Sequence, residues 1–293
     1  MTDQIKELIM ENKPNISKSS ITTYLSILKN LHIKVFGDNI DVSNFKKADK
    51  ILKFLEELEP SKRKTVLSAL VVITDNKKYR DQMLKDIEEY KSNESTQKKN
   101  DKQSESWVDT ETIDDIFDKL GKNANLIYKK KSYTSTDLQE IQLFIILCVL
   151  SGKFIPPRRS KDYVDFKIKD IDPEVDNYLH KKTMVFNSYK TAKTYQRQEL
   201  PVPPELMKIL NKWIKINPTE YLFFDSNLKK LSNVKLTQRL NKIFGKKASV
   251  NQMRHTYLSN KYQKTIELNK EMEEDMAKMG TSKAQEKVYI KKD

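Results

Sequence analysis

Four side chains in this sequence have the types needed for phosphoryl transfer without a metal: Arg159, Lys190, Arg254 and Tyr289. A tyrosine phenolate can attack a phosphodiester, passing through five-coordinate phosphorus and expelling a 5′ hydroxyl. The reaction needs charge neutralised on two non-bridging oxygens, a proton taken from the phenol and a proton given to the departing oxygen. Arginine suits the first task, because its planar fork holds two oxygens at once and keeps its proton at neutral pH. Lysine suits the last, since an ammonium on a flexible hairpin can reach a leaving group.

These residues lie far apart, so the fold must bring them together. Arg159 sits in Pro156-Pro157-Arg158-Arg159-Ser160-Lys161-Asp162, directly after a nearly all-apolar helix from Asp137 to Leu150. Lys190 occupies the turn Tyr189-Lys190-Thr191-Ala192-Lys193, between alternating stretches Tyr178–Lys190 and Thr194–Val202 that predict a β-hairpin. Arg254 falls in a helix expected over 250–263, and Tyr289 ends one expected over 282–289, with another between them at 266–279. Further helices are expected at 110–120, at 233–244, and after Pro203-Pro204, where Leu206, Ile209, Leu210, Trp213 and Ile214 form an apolar stripe.

The front of the chain reads as helical throughout. Ile21, Tyr24, Leu25, Leu28 and Leu31 make one stripe, and Ile51, Leu52, Leu55 and Leu58 another; 65–73 and 79–90 supply two more helices, with Ser61 as an N-cap. Residues 91–105 are polar up to Ser104 and predict a flexible linker. The expected organisation is a helical domain at 1–90, the linker at 91–105, and a mainly α domain with a small β-sheet at 106–293.

The chain has 293 residues and a formal net charge of +14, with a pI near 9.4. That charge suits a polyanion such as nucleic acid, although a merely soluble basic protein would look the same by composition. The single cysteine, Cys148, excludes an intrachain disulfide framework and suits core packing. The apolar run from Ile141 to Leu150 is too short to span a bilayer, and the first fourteen residues lack a signal peptide's apolar core.

Taken together the four frames resemble the tyrosine recombinases, the phage-type integrases. The resemblance implies a helical, SAM-like core-binding domain at 1–90 that binds DNA, followed by the family's catalytic domain at 106–293. In the family an acidic residue stands three positions after the first arginine and an Asp-Ile pair further on. Asp162 and Asp170-Ile171 fit that pattern when Arg159 is the arginine, which leaves Arg158 as a neighbouring phosphate contact. Lys190-Thr191 is similar to the family's Lys-Thr turn, with Lys193 a further DNA contact. Met253-Arg254-His255-Thr256 is similar to its Leu-Arg-His-Thr signature, and Met279-Gly280-Thr281-Ser282 to its Leu-Gly-His-Ser. Tyr289 follows one residue short of the usual spacing and would be the nucleophile. In the front domain, Lys18 and Ser19 resemble part of the family's opening Ser/Thr-rich helix, and Lys62, Arg63 and Lys64 part of a later helix that lies against DNA.

Two departures matter. Asn251 and Thr281 stand where the family has histidines; both can donate a hydrogen bond to phosphate, and neither is a base at neutral pH. His255 reads equally as a buried tie between helices or as a group near the chemistry. Few residues follow Tyr289, which leaves open whether it serves its own subunit or another. The resemblance implies a site-specific recombinase or integrase of viral or mobile-element type, acting on double-stranded DNA, assembling as a tetramer, and needing no metal or other cofactor. It would work inside a cell wherever its target DNA lies: nucleus, cytoplasm or virus factory. A catalytically weakened relative that only binds DNA, and a type IB topoisomerase, are the alternatives.

Overall fold

Ten consecutive buried residues, Ile141 to Leu150, place one helix at the centre of the larger part of this protein. The computed structural model describes residues 2–96 and 98–291. The chain divides into two compact units, Met1–Lys98 and Lys99–Asp293.

The first unit is built from α1 (Thr2–Asn12), α2 (Lys18–Phe36), a 3-10 turn at Val42–Lys46, α3 (Ala48–Leu55), α4 (Pro60–Thr74) and α5 (Lys77–Ser95). Ile5, Ile9, Leu28, Phe45, Ile51, Leu55, Leu67, Leu70 and Tyr79 form its core, with each residue at most 1% exposed. Here α1 is an addition to the sequence expectation: Ile5 and Ile9 lie one turn apart, a stripe too short to stand out in a polar segment. Ser61 is not the cap of α4, because Pro60 already occupies its first turn and Glu59 is the N-cap residue. Two polar residues are fixed in the interior. Buried His32 donates from Nδ1 to the Gly37 carbonyl at 3.1 Å and accepts at Nε2 from the Asp41 amide at 3.1 Å. Asp86, only 1% exposed, receives both the Nε and Nη2 groups of Arg63, with the Nη2 contact at 2.7 Å.

The second unit contains α6 (Asp101–Ser106), α7 (Thr110–Ile127), α8 (Ser135–Leu150), α9 (Ser160–Val164), β1 (Phe166–Lys167), β2 (Asn177–His180), β3 (Thr183–Phe186), α10 (Ala192–Tyr195), β4 (Gln198–Pro201), α11 (Pro204–Ile216), α12 (Asn233–Phe244), α13 (Val250–Lys278), a 3-10 turn at Lys283–Gln285 and α14 (Glu286–Tyr289). The sheet order is β1-β2-β3-β4, with β1 parallel to β2 and the remaining pairs antiparallel. Helix α8 starts at a capping box in which Thr134 and Asp137 bond each other's backbone amides. Together with Lys130, these bonds hold the Asp137 carboxyl down at about 2.

Three expectations are corrected. Helices α5 and α6 reach into 91–105 from both sides, since a polar segment can still form a solvated helix when its ends are capped; Asn100 and Gln103 make such a box at α6. The single hairpin arm at 178–190 is two strands, turning at Lys181, where φ is +52°. The helices at 250–263 and 266–279 are one continuous helix, because no Gly or Pro interrupts Val250–Lys278.

Removing the Arg63 side chain would leave Asp86 charged, buried and unpaired. Arg63→Ala should therefore destabilise the first unit by about 3–5 kcal/mol, measured by urea unfolding. A loss under about 1 kcal/mol would rule out the pair as the brace between α4 and α5.

Candidate active site

The Arg159 segment is held by the end of α8 and the start of the sheet. Tyr163 on α9 donates its hydroxyl to the Val149 carbonyl at 3.1 Å. Asn177, 1% exposed at the start of β2, does more. Its Oδ1 accepts from the amides of Asn187 and Ser188 at 2.9 and 2.8 Å, while its Nδ2 donates to the carbonyls of Asp162 and Ser188. Those bonds end β3 and bind the following loop to α9. The loop carries Lys190, which is exposed, next to Tyr189, which is buried and donates to the Gln196 carbonyl at 2.5 Å.

The two neighbouring arginines behave differently. Arg158 is built into the scaffold: Nε reaches Asp162 Oδ2 at 2.9 Å, Nη1 reaches Gln198 Oε1 at 2.8 Å, and the guanidinium lies 4.0 Å from the Phe186 ring centroid and 4.9 Å from that of Tyr189. Arg159, the N-cap residue of α9, makes no side-chain hydrogen bond or ion pair among the described residues. The carboxylate in this region, Asp162, is 2% exposed and is therefore claimed by Arg158, with its other oxygen unbonded. Burial raises its pKa against the pull of Arg158 and Arg159.

Arg254 comes to the same place from α13. Ser249 caps that helix, its hydroxyl accepting from the Gln252 amide at 3.2 Å, while Val250, Met253 and Thr256 face inward. Arg254 is left half-buried, with only a long 3.5 Å approach to Asn251 Oδ1. Its pKa is lowered, first by burial, then by the nearby Arg159 charge, with Asp162 opposing and Arg158 adding to the effect. Arg159 and Arg254 are thus two half-buried guanidiniums close enough to repel, and among the described residues neither has a carboxylate bonded to it. Such a pair accepts an oxyanion at both forks. His255 points to solvent, which rules out the buried tie between helices that its sequence context allowed.

Tyr289 and Thr281 are elsewhere. Helix α13 ends at Gly280, φ +76°, where the Thr281 amide turns back to the Met276 carbonyl at 2.9 Å. Tyr289 is 56% exposed, and a shallow cavity at the far end of α13 joins it to Leu268, Met272, Met276 and Met279. Arg254 lies more than twenty residues back along the helix from Met276, which at 1.5 Å per residue is roughly 30 Å. The structure brings Arg159, Asn251 and Arg254 together, puts Lys190 next to the Tyr189 that packs on Arg158, and leaves Thr281 and Tyr289 beyond the far end of α13.

Of the remaining sequence candidates, Lys18 and Ser19 are exposed on the first turn of α2, Lys62 is exposed on α4 and Lys193 is exposed on α10. Lys64 lies over the Tyr90 ring at 3.0 Å, and the Arg63 guanidinium is occupied by Asp86. The sequence reading passed over Asn177, Gln198 and Gly152. No local pattern marks the first two, since their role is to bond residues brought in by the fold. Gly152 sits at φ +83° with its α-carbon against the Tyr257 ring, one turn beyond Arg254.

The result is a pair of half-buried guanidiniums, able by their chemistry to hold an oxyanion, in a mainly helical unit with a four-stranded sheet. No protein-family model and no curated protein sequence matches the chain. Among solved structures it is similar to a lambda integrase fragment determined as a dimer bound to a COC′ core site: 14% identity, 90% of this chain and 89% of that one, TM-score 0.50. It is also similar to lambda integrase bound to DNA, at 15% identity over 90% and 86% of the two chains, TM-score 0.49. A third is the lambda integrase tetramer bound to a Holliday junction, at 14% identity over 89% and 69%, TM-score 0.47. Lambda integrase is a tyrosine recombinase, and at this identity the likeness establishes a similar fold and no chemistry.

A methyl group at position 152 would collide with Tyr257 and sit on a left-handed backbone. Gly152→Ala should cost about 1–3 kcal/mol and lower the melting temperature of the second unit. An unchanged melting temperature would contradict this packing of α13 beside α8.

Proposed function

We propose that this protein is a DNA strand transferase of the tyrosine recombinase type. In this reading Arg159 and Arg254 hold the non-bridging oxygens of a scissile phosphate, with Asn251 donating a further hydrogen bond. Lys190 on its exposed loop protonates the departing 5′ oxygen. The Tyr289 phenolate attacks phosphorus, so one phosphorus–oxygen bond forms as another breaks, giving a 3′-phosphotyrosyl link and a free 5′ hydroxyl. A 5′ hydroxyl of a partner strand reverses the step, and Thr281 donates to the phosphate once its segment is near. The phosphotyrosyl link conserves the bond energy, so neither nucleotide nor metal is required. Lys18, Ser19, Lys62 and Lys193 contact the duplex backbone, whereas Arg63 serves the fold and Arg158 orients the cradle.

The observation that carries this reading is the Arg159–Arg254 pair, half-buried, mutually repelling and without a bonded carboxylate. A merely structural arginine pair would be expected to hold a carboxylate, as Arg63 and Arg158 do. The lambda-integrase-like fold supports it, and the dimer on a core site in that neighbour's description makes DNA and self-assembly the natural partners to propose. One observation favours the second reading, a relative that binds DNA without cutting it: Tyr289 is remote from the cradle in the same subunit.

A pool of nicked duplexes of randomised sequence distinguishes the two. Wild-type protein should yield DNA-linked protein that survives denaturation, and recovered sequences should converge. Tyr289→Phe should abolish the adduct, and Arg254→Ala should slow its formation about 10²–10³-fold. Tight, sequence-selective retention of DNA with no adduct would establish the binding-only reading.

A further inference from the structure

Helices α7 and α11 both pack on α8, and they leave a trough whose lining includes none of the residues assigned to strand transfer. Its floor is aromatic. The Phe117 ring centroid lies 5.2 Å from that of Phe144 and 5.7 Å from that of Phe154. With Tyr128 and Ile209 these rings line a cavity of about 590 Å³. Gly121 lines it too. A glycine inside a helix costs about 1 kcal/mol relative to alanine, but a Cβ here would stand 3.2 Å from the Phe144 ring. Tyr128 contributes a ring and no polar contact, because its hydroxyl is buried and has no hydrogen-bond partner among the described residues.

One end of the trough is charged. A second cavity of about 490 Å³ shares Asn125, Tyr128 and Lys212 with the first, and adds Lys129, Tyr133, Lys215 and Ile216. No acidic side chain lines it. The lysines Lys129, Lys212 and Lys215 are exposed, and among the described residues none of them is in an ion pair. Lys212 Nζ lies 5.8 Å from the centroid of the Tyr128 ring, where the two cavities meet. At the aromatic end, by contrast, Lys122 and Lys208 are balanced by Asp118 and Glu205.

This polarity selects among ligands. A wholly apolar molecule would leave the lysines without a counter-charge, and a small inorganic anion would leave the rings wet. Duplex DNA presents its phosphates outward and keeps its bases stacked, so it would meet the lysines and cover little of the floor. Small-molecule sites are cavities of about 300–1,000 Å³ with mostly apolar walls and a few polar groups that fix orientation. Aromatic walls favour an aromatic guest, which can stack or meet them edge to face.

We propose that the trough between α7 and α11 binds a small aromatic anion. Its ring system lies against Phe117, Phe144 and Phe154, and its carboxylate, sulfonate or phosphate monoester sits among Lys129, Lys212 and Lys215. Lysine holds such a group as a point charge, so the lysines fix where the anion lies and leave its exact type open. The site is independent of the strand-transferase reading and is tested without reference to DNA cleavage.

Naphthoate is the probe, titrated onto the intact chain and followed by its own fluorescence. Naphthylmethanol, with the rings and no charge, and acetate, with the charge and no rings, are the controls. Naphthoate should saturate at one per chain and bind at least about tenfold more tightly than either control. A Lys212→Glu, Lys215→Glu double variant, which alters only exposed positions, should weaken naphthoate about tenfold or more and leave naphthylmethanol unchanged. Ile209→Trp, which fills the aromatic end, should weaken both; if that variant fails to fold, the lysine variant carries the test. Absence of saturable naphthoate binding, equal binding of naphthoate and naphthylmethanol, or wild-type affinity in the lysine variant would each overturn the proposal. Displacement of naphthoate by duplex DNA, with weaker DNA retention by the lysine variant, would assign the trough to DNA and overturn it as well.

Discussion

Two positive charges held near each other, half out of water, are the constraint around which the second unit is organised. Burial raises the free energy of the ionised form of Arg254, and the nearby Arg159 charge raises it further. The pair persists because neighbouring groups fix its backbone on both sides. Asn177 and Tyr163 anchor the Arg159 segment, and the Ser249 cap with buried Val250, Met253 and Thr256 anchors Arg254. An anion held at both forks would relieve the repulsion and replace lost hydration with charge-assisted hydrogen bonds. Preorganised charge of this sort is where much of the stabilisation of a phosphoryl transition state comes from.

Asp162 shows why the cradle stays open. A carboxylate free to move would bridge both guanidiniums and close the site. Here burial fixes it, Arg158 takes one oxygen, and Phe186 and Tyr189 clamp that arginine from the strand and loop that precede Lys190. Arg158 thereby satisfies the acid, ties the sheet to α9, and leaves Arg159 without a rival anion. Adjacent arginines in the sequence thus do opposite work, one closing an internal network and the other facing outward.

Much of the architecture was legible in the sequence because apolar periodicity over long segments leaves little choice. The run ending at Leu150, the stripe through Trp213 and the helix at 233–244 all appear where expected. The small sheet was legible only in part. Alternation at 178–190 cannot disclose that Lys181 takes a left-handed turn, nor that Asn177 pulls residues 187 and 188 out of the strand. Local residue types brought Arg159, Lys190 and Arg254 into consideration, yet they could not say which of Arg158 and Arg159 would be free. That depended on a carboxylate and a glutamine reached through folding. Arg63 illustrates the same limit: between Lys62 and Lys64 it reads as one more surface cation, but its partner Asp86 lies on the next helix.

The position of Tyr289 follows from a property of α13 that apolar patterning cannot express. Its first turns are fixed by core contacts, so Arg254 is placed by the unit as a whole. Its later turns are mostly exposed, with Met276 buried and weak charge pairs along the surface, and with no Gly or Pro the helix runs unbroken to Lys278. A helix of this kind joins an anchored end bearing a guanidinium to a distant end that leads to a phenol. Joining them through one stiff element makes proximity within a subunit and helicity mutually exclusive. If the phenol is to meet a phosphate held by two guanidiniums, either the helix yields or the guanidiniums belong to another molecule.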